Sequence, residues 1–258
     1  MPQKRTRCRN CTCRFTMLCA KCWKQHFINT NNLKTTIMKQ QKTNLKYLWL
    51  IIPLIISYFA YKGYGFEYKA GVTISCLGLI AFSYWNKLKS SRNVLFVIAA
   101  FVFSIIGDWF LSHKGDSFIM FSAGIGFYFL AHAGYMVYAL VNGRLKIGLA
   151  VFLLIAYLLL FAFVLYPAIN DTLLLVVVFV YLLISCFAVA AAAGTRLPAF
   201  SKWAYFSGIV LILFSDTIIA FMEFTTYQDL NFLILPTYYA AHIVITFSLL
   251  YKANNKSS

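Results

Sequence analysis

Residues 93–112 read "NVLFVIAAFVFSIIGDWFLS". From Asn93 to Gly107 the stretch carries no charge, and then Asp108 appears, followed at once by Trp109, Phe110 and Leu111. A run of this length that is apolar on every face reads as a helix in lipid, since about 20 residues cross a hydrocarbon layer of about 30 Å. A second stretch, "VLILFSDTIIAF" at 210–221, places Asp216 in the same kind of setting. A carboxylate near the centre of a membrane helix costs about 2.5–3.5 kcal/mol on insertion scales, against about 0.3–0.6 gained per large apolar residue. The chain is apolar enough to tolerate two such residues, and such residues usually face a bundle interior or a hydrated cavity.

The rest of the chain agrees. Of its 258 residues 61% are hydrophobic and 12% charged, against about 25% charged in a soluble domain. Apolar runs of spanning length predict an all-α integral membrane protein with eight helices near 45–61, 70–85, 94–112, 118–141, 147–166, 172–193, 203–222 and 232–251. The short connections fit one bundle, 45–251, with a tail at 252–258 and no soluble domain between spans.

The charges alternate with the loops. Residues 1–46 hold eleven Lys/Arg and no acid; Lys87, Lys89 and Arg92, then Arg144 and Lys146, then Arg196 and Lys202, then Lys252 and Lys256 continue one set. Glu67, Asp116, Asp171, Glu223 and Asp229 all fall in the other. Lys/Arg-rich loops stay cytoplasmic, so eight spans with both termini inside satisfy the pattern. The net charge of +16 is then a topology signal and calls for no nucleic-acid partner. The expected location is a multi-pass membrane protein, in the inner membrane if the host is bacterial.

The N-terminal segment, 1–44, is basic and Cys-rich. Its stretch "CRNCTCRFTMLCAKC" at 8–22 holds five of the seven cysteines, with two C-x-x-C pairs. That spacing allows a small zinc knuckle, although the loop between the pairs is short for common zinc folds. Met38 opens "MKQQKTNLKYLWLIIPLII", which reads as a membrane-protein start by itself. Residues 1–37 are therefore expected to be disordered, a mis-assigned start or a basic arm at the membrane surface. No small-residue cleavage site follows 45–61, so no signal peptide is expected.

Four ionisable residues lie well within the spans: Asp108, His132, Asp216 and His242. At about 1.5 Å per residue they sit about 6, 20, 9 and 15 Å below the same boundary, which allows them to line one cavity. The arrangement repeats. "GD" at 107–108 is followed by "YFLAH" (Tyr128 to His132), and "SD" at 215–216 by "YYAAH" (Tyr238 to His242). The Asp-to-His spacings are 24 and 26 residues. An offset of four helices gives both copies the same orientation, as in a parallel repeat of two four-helix halves. Each Tyr–His pair shares a helix face. Plainer readings stand beside this one: Asp108 near a helix end reaching the headgroups, Ser215-Asp216 as an interhelical hydrogen-bond staple, and each His as a packing residue. Gly124 and Gly126 read as close-packing positions, Glu223 and Asp229 as solvated loop acids, and the many Phe and Tyr as lipid contacts and interface anchors.

On "SIIGDWFL", "FSAGIGFYFLAHAGYMVYAL", "LFSDTIIAF" and "LPTYYAAH" the chain resembles the YhhN-like lysoplasmalogenase family, eight-span membrane proteins, over about 45–251. The resemblance implies Gly107-Asp108, His132, Tyr135, Ser215-Asp216 and Tyr238-Tyr239 as functional positions. It departs at His242, where the family often has Gln. It implies hydrolysis of the vinyl ether bond of a lysophospholipid substrate, giving a fatty aldehyde and a glycerophospho-ethanolamine or -choline, with no cofactor and no metal. Such chemistry needs an acid that protonates carbon and an anion that steadies the oxocarbenium ion. The deeper Asp216 is expected to be the acid and Asp108 the anion, or the reverse. Tyr128, Tyr135, Tyr238, Tyr239, Ser215 and the two imidazoles would shape the substrate site. Two other classes remain open: a small proton-coupled transporter, and a lysolipid-binding protein without catalysis. The scarcity of Pro inside the spans counts against the transporter.

Overall fold

The computed structural model describes residues 47–63, 66–89 and 91–255. The zinc-knuckle and false-start readings of 1–37 fall outside these residues. Among the described residues the chain is helical, without strands, and forms α1 (Ile51–Tyr61), α2 (Phe66–Tyr84), α3 (Val94–Ser112), α4 (Phe118–Val141), α5 (Ile147–Leu160), α6 (Thr172–Ala193), α7 (Ala199–Phe224) and α8 (Ile234–Asn255). Six helices are long and apolar enough to cross a membrane: α3, α4, α5 with its continuation to Leu165, α6, α7 and α8. The first is only 11 residues long. The second has 19 residues but opens with Glu67 and Lys69 in its first turn.

Local chemistry sets the boundaries. The Ser117 hydroxyl caps α4 by accepting from Met120 N, and Asp171 Oδ1 caps α6 by accepting from Leu174 N at 2.7 Å, each satisfying an amide that lacks a helical partner. Gly115, at φ 49°, makes the tight turn between α3 and α4. The last turn of α5 widens into a π-turn over Phe161–Leu165, where Tyr166 N reaches Phe161 O. Pro167 follows and cannot continue the helical ladder.

Successive helices run up and down. At one end Lys252 of α8 donates to Tyr138 Oη (3.1 Å) and Asn142 Oδ1 (2.8 Å), and Asn93 before α3 also donates to Asn142. The α4–α5 and α6–α7 loops interlock there: Arg144 N donates to Gly194 O, and a Cβ on Gly194 would fall on the Arg144 carbonyl. Tyr47 meets Asn254 at this end as well. The basic loop residues gather here, and Lys114 pairs with Glu223 at the opposite end.

The core lies between α2, α3, α4, α6, α7 and α8, around Phe101, Tyr135, Tyr138, Tyr205, Ile209 and Ile245. The tightest packing is α3 on α4 and α7 on α8; α4 also packs on α6, as α8 does on α2. Glycines permit this. A Cβ at Gly134 would stand 2.7 Å from Phe96 O, and one at Gly208 2.5 Å from Ile245 Cγ1. Gly124 is a close-packing position too, 2.7 Å from Leu111 on the same test, whereas Gly126 faces open space, so that reading fails for Gly126. Exposed Leu, Ile and Phe cover the outer faces of α1 and α5. Trp85 and Trp203 are exposed near one end and Trp109 near the other, at the levels where aromatic residues anchor a bilayer interface. Many tyrosines depart from the anchoring role: Tyr84, Tyr135, Tyr138 and Tyr205 are almost wholly buried.

Candidate active site

A cleft of about 320 Å³ opens at the end away from the basic loops. Asp108 and Asp216 both line it, with Tyr128, Tyr238 and Tyr239. Both carboxylates are nearly buried: Asp108 is 9% exposed and the Asp216 side chain 11%. A buried carboxylate must find donors, and phenols supply them. Tyr128 from α4 donates to Asp108 Oδ1, and Tyr238 from α8 donates to Asp108 Oδ2 at 3.2 Å. Tyr181 from α6 donates to Asp216 Oδ2 at 2.5 Å. The two rings over Asp108 meet edge to face, 6.3 Å apart.

The histidines stand behind the carboxylates and do not line the cleft. His132 is 1% exposed and His242 fully buried. Each Nδ1 lies against the carbonyl four residues earlier, Tyr128 O at 3.1 Å and Tyr238 O at 3.0 Å. A carbonyl only accepts, so each Nδ1 carries the hydrogen, and in the neutral ring each Nε2 is a bare acceptor. His132 Nε2 faces Asp216 Oδ2 at 3.7 Å. His242 Nε2 has no hydrogen-bond partner among the described residues, and the ring packs against Tyr238 and Phe101. The expectation that all four ionisable residues line one cavity therefore holds for the two Asp only. The reason is helical geometry: Asp108 and Asp216 turn toward the cleft, while each His lies one turn deeper than its Tyr.

Tyr135 and Ser215 are also away from the cleft. Tyr135 packs edge to face on Phe101, and its carbonyl accepts from Tyr205 Oη at 2.8 Å. Ser215 Oγ donates to Ile234 O, stapling α7 to the start of α8. Of the "SD" pair, the Ser staples and the Asp faces the cleft. Tyr239 lines the cleft, and its hydroxyl has no hydrogen-bond partner among the described residues.

Sequence reasoning missed three features. Tyr181 gave no signal beyond being a Tyr in an apolar span. Glu223 is not a solvated loop acid: it lies in α7, lines the cleft and pairs with Lys114 at 2.7 Å. Asp216 also borders two narrow apolar cavities of about 50 Å³ each, beside Val178 and Ala220 between α6 and α7. Among the described residues no cluster of His, Cys, Asp and Glu is placed to hold a metal.

An apolar helical bundle with two buried carboxylates on one cleft is an integral membrane protein with a site built inside it. Residues 69–249 match the YhhN family, and the chain belongs to that family. No curated protein and no solved structure matches the chain.

Proposed function

We propose that the protein is a membrane hydrolase that cleaves the vinyl ether bond of single-chain ether phospholipids, releasing a fatty aldehyde and a glycerophospho-alcohol. The observation that carries this reading is the pair of carboxylates on one cleft, each held by phenols from a different helix. Family membership supports it, as do the apolar cavities that meet at Asp216.

Asp216, beside the apolar cavities, is the proton donor. Its proton goes to the vinyl carbon remote from oxygen; the new C–H bond forms from the C=C electron pair and leaves an oxocarbenium ion. Asp108, which accepts two phenol hydrogen bonds, is the anion that steadies this cation and orients water. Water adds to the cationic carbon, and its proton passes to a carboxylate. The hemiacetal then breaks its bond to the glycerol oxygen, which takes a proton from the carboxylic acid, while the hemiacetal hydroxyl gives its proton to a carboxylate as the C=O forms, so that one water is consumed and the acid is restored. His132, with Nε2 toward Asp216, orients the acid or relays its proton. Tyr128, Tyr238 and Tyr239 contact substrate; Tyr135, Ser215 and His242 hold the walls.

The same reading includes the topology: eight spans in two parallel four-helix halves, basic loops and both termini cytoplasmic. The repeat is supported by the matched packing of α3 on α4 with α7 on α8, and of α2 on α3 with α6 on α7. The test uses the full chain purified in a neutral detergent. It is given a vinyl-ether lysophospholipid, and released aldehyde is coupled to an NADH-consuming dehydrogenase. Aldehyde should appear with the natural chain and vanish with both Asp108→Asn and Asp216→Asn. Turnover that survives both changes rejects the mechanism.

A further inference from the structure

Two cations line the cleft and take no part in the chemistry above. Lys69, in the first turn of α2, is half-buried and makes no ion pair among the described residues. Lys114 follows α3 in the turn made by Gly115; it pairs with Glu223 at 2.7 Å and lies 4.9 Å from the Phe121 ring centroid. Lys114 and Glu223 also border an adjoining cleft of about 330 Å³, so this ion pair stands on the boundary between the two. Lys69 is attracted by Asp108 without forming a close ion pair, and Lys114 shares its charge with Glu223, so these partly desolvated cations can still take an anion from solution or lipid.

The levels are ordered. Asp108 lies four residues before the end of α3, about 6 Å below it, and Asp216 seven residues before Glu223, about 10 Å deeper. Lys114 and Glu223 thus stand at the mouth of the cleft, Lys69, three residues into α2, stands at about the level of Asp108, and Asp216 lies deepest, with Leu111, Ile219 and Leu235 on the walls. An anion is attracted by the two lysines and not by the deeper Asp216, which sets one orientation for an elongated amphiphile. We infer that Lys69 and Lys114 form a subsite for the phosphate group of a single-chain lipid, with Glu223 as the counter-ion that competes for Lys114. This rests on reading the cleft as a lipid site, but not on the lipid being hydrolysed there.

Binding of three probes to the full chain in neutral detergent tests it: a saturated alkyl-ether glycerophosphate, the alkylglycerol of the same chain length, and glycerol phosphate. None contains a vinyl ether, so turnover plays no part. The glycerophosphate lipid should bind at least about tenfold tighter than the alkylglycerol, as charge-assisted hydrogen bonds to phosphate allow, and the preference should shrink as salt rises. Glycerol phosphate should fail to compete. Lys69→Gln and Lys114→Gln should each reduce the preference, and Glu223→Gln should increase it. Equal affinity for the two lipids overturns the proposal without any variant. So does a preference that survives both lysine changes. Competition by glycerol phosphate at the lipid's own concentration overturns the lipid assignment. Phosphate-selective binding without aldehyde release from any vinyl-ether lipid would keep this subsite and reject the hydrolase.

Discussion

Tyr238 on α8 donates its phenol hydrogen to Oδ2 of Asp108 on α3, at 3.2 Å, and so joins the last helix of the bundle to the third. Tyr128 on α4 takes the other oxygen. Two phenols from opposite halves of the chain thus fix one carboxylate at the edge of the cleft.

Removing either donor has a defined effect. Tyr238→Phe and Tyr128→Phe keep the ring and lose the hydroxyl. Each should lower vinyl ether turnover about ten- to hundredfold, the value of a hydrogen bond to a charged group. The double variant should lose less than the product of the two, because both act through Asp108. Steady-state aldehyde release measures this, and wild-type rates in both single variants would remove Asp108 from the mechanism.

Tyr181 makes the corresponding contact with Asp216 at 2.5 Å. Tyr181→Phe should slow turnover by about the same factor while preserving the melting temperature within a few degrees, since the phenyl ring still fills its place between α6 and α7. An unchanged rate would mean that Asp216 needs no phenol partner to act.

The packing glycines separate into two kinds. Gly134→Ala drives a methyl toward Phe96 O on a backbone that cannot swing aside. It should cost about 1–3 kcal/mol as overpacking and lower Tm in detergent. Gly126→Ala enters open space and, by replacing Gly with a better helix former, should leave Tm unchanged or slightly raised. Equal melting of the two variants would refute the close α3–α4 contact.

Single cysteines test the proposed topology, because Cys76 and Cys186 are buried. With the five N-terminal cysteines replaced by Ser, a membrane-impermeant thiol reagent added to intact cells should label Asp229→Cys. It should label Arg196→Cys only after permeabilisation. The reverse result would invert the bundle.

Much of this was legible in the chain. The span from Val94 to Ser112 was readable to the residue, because an uninterrupted apolar run has no other stable state than a helix in lipid. The apolar runs 118–141 and 172–193 likewise coincide with α4 and α6, where the structure adds the Ser117 and Asp171 caps. Farther back, α7 begins at Ala199, four residues before the expected 203, because Pro198 starts the helix while Ser201 and Lys202 look like loop residues. Asp108 and Asp216 stood out by cost alone.

The sequence by itself determined that the chain is a helical membrane protein, where the charges alternate, and which two carboxylates are out of place, because each of these depends on a residue and its neighbours along the chain. Only the tertiary structure decided who partners those carboxylates. Tyr181 is 35 residues from Asp216 and Tyr238 is 130 from Asp108, and no spacing rule reaches across separate helices. It also decided that His132 and His242 lie behind the cleft, that Ser215 staples a helix, and that Glu223 meets Lys114. Those outcomes depend on how each helix is rotated in the bundle, which packing of glycines, alanines and tyrosines sets and a single helix does not.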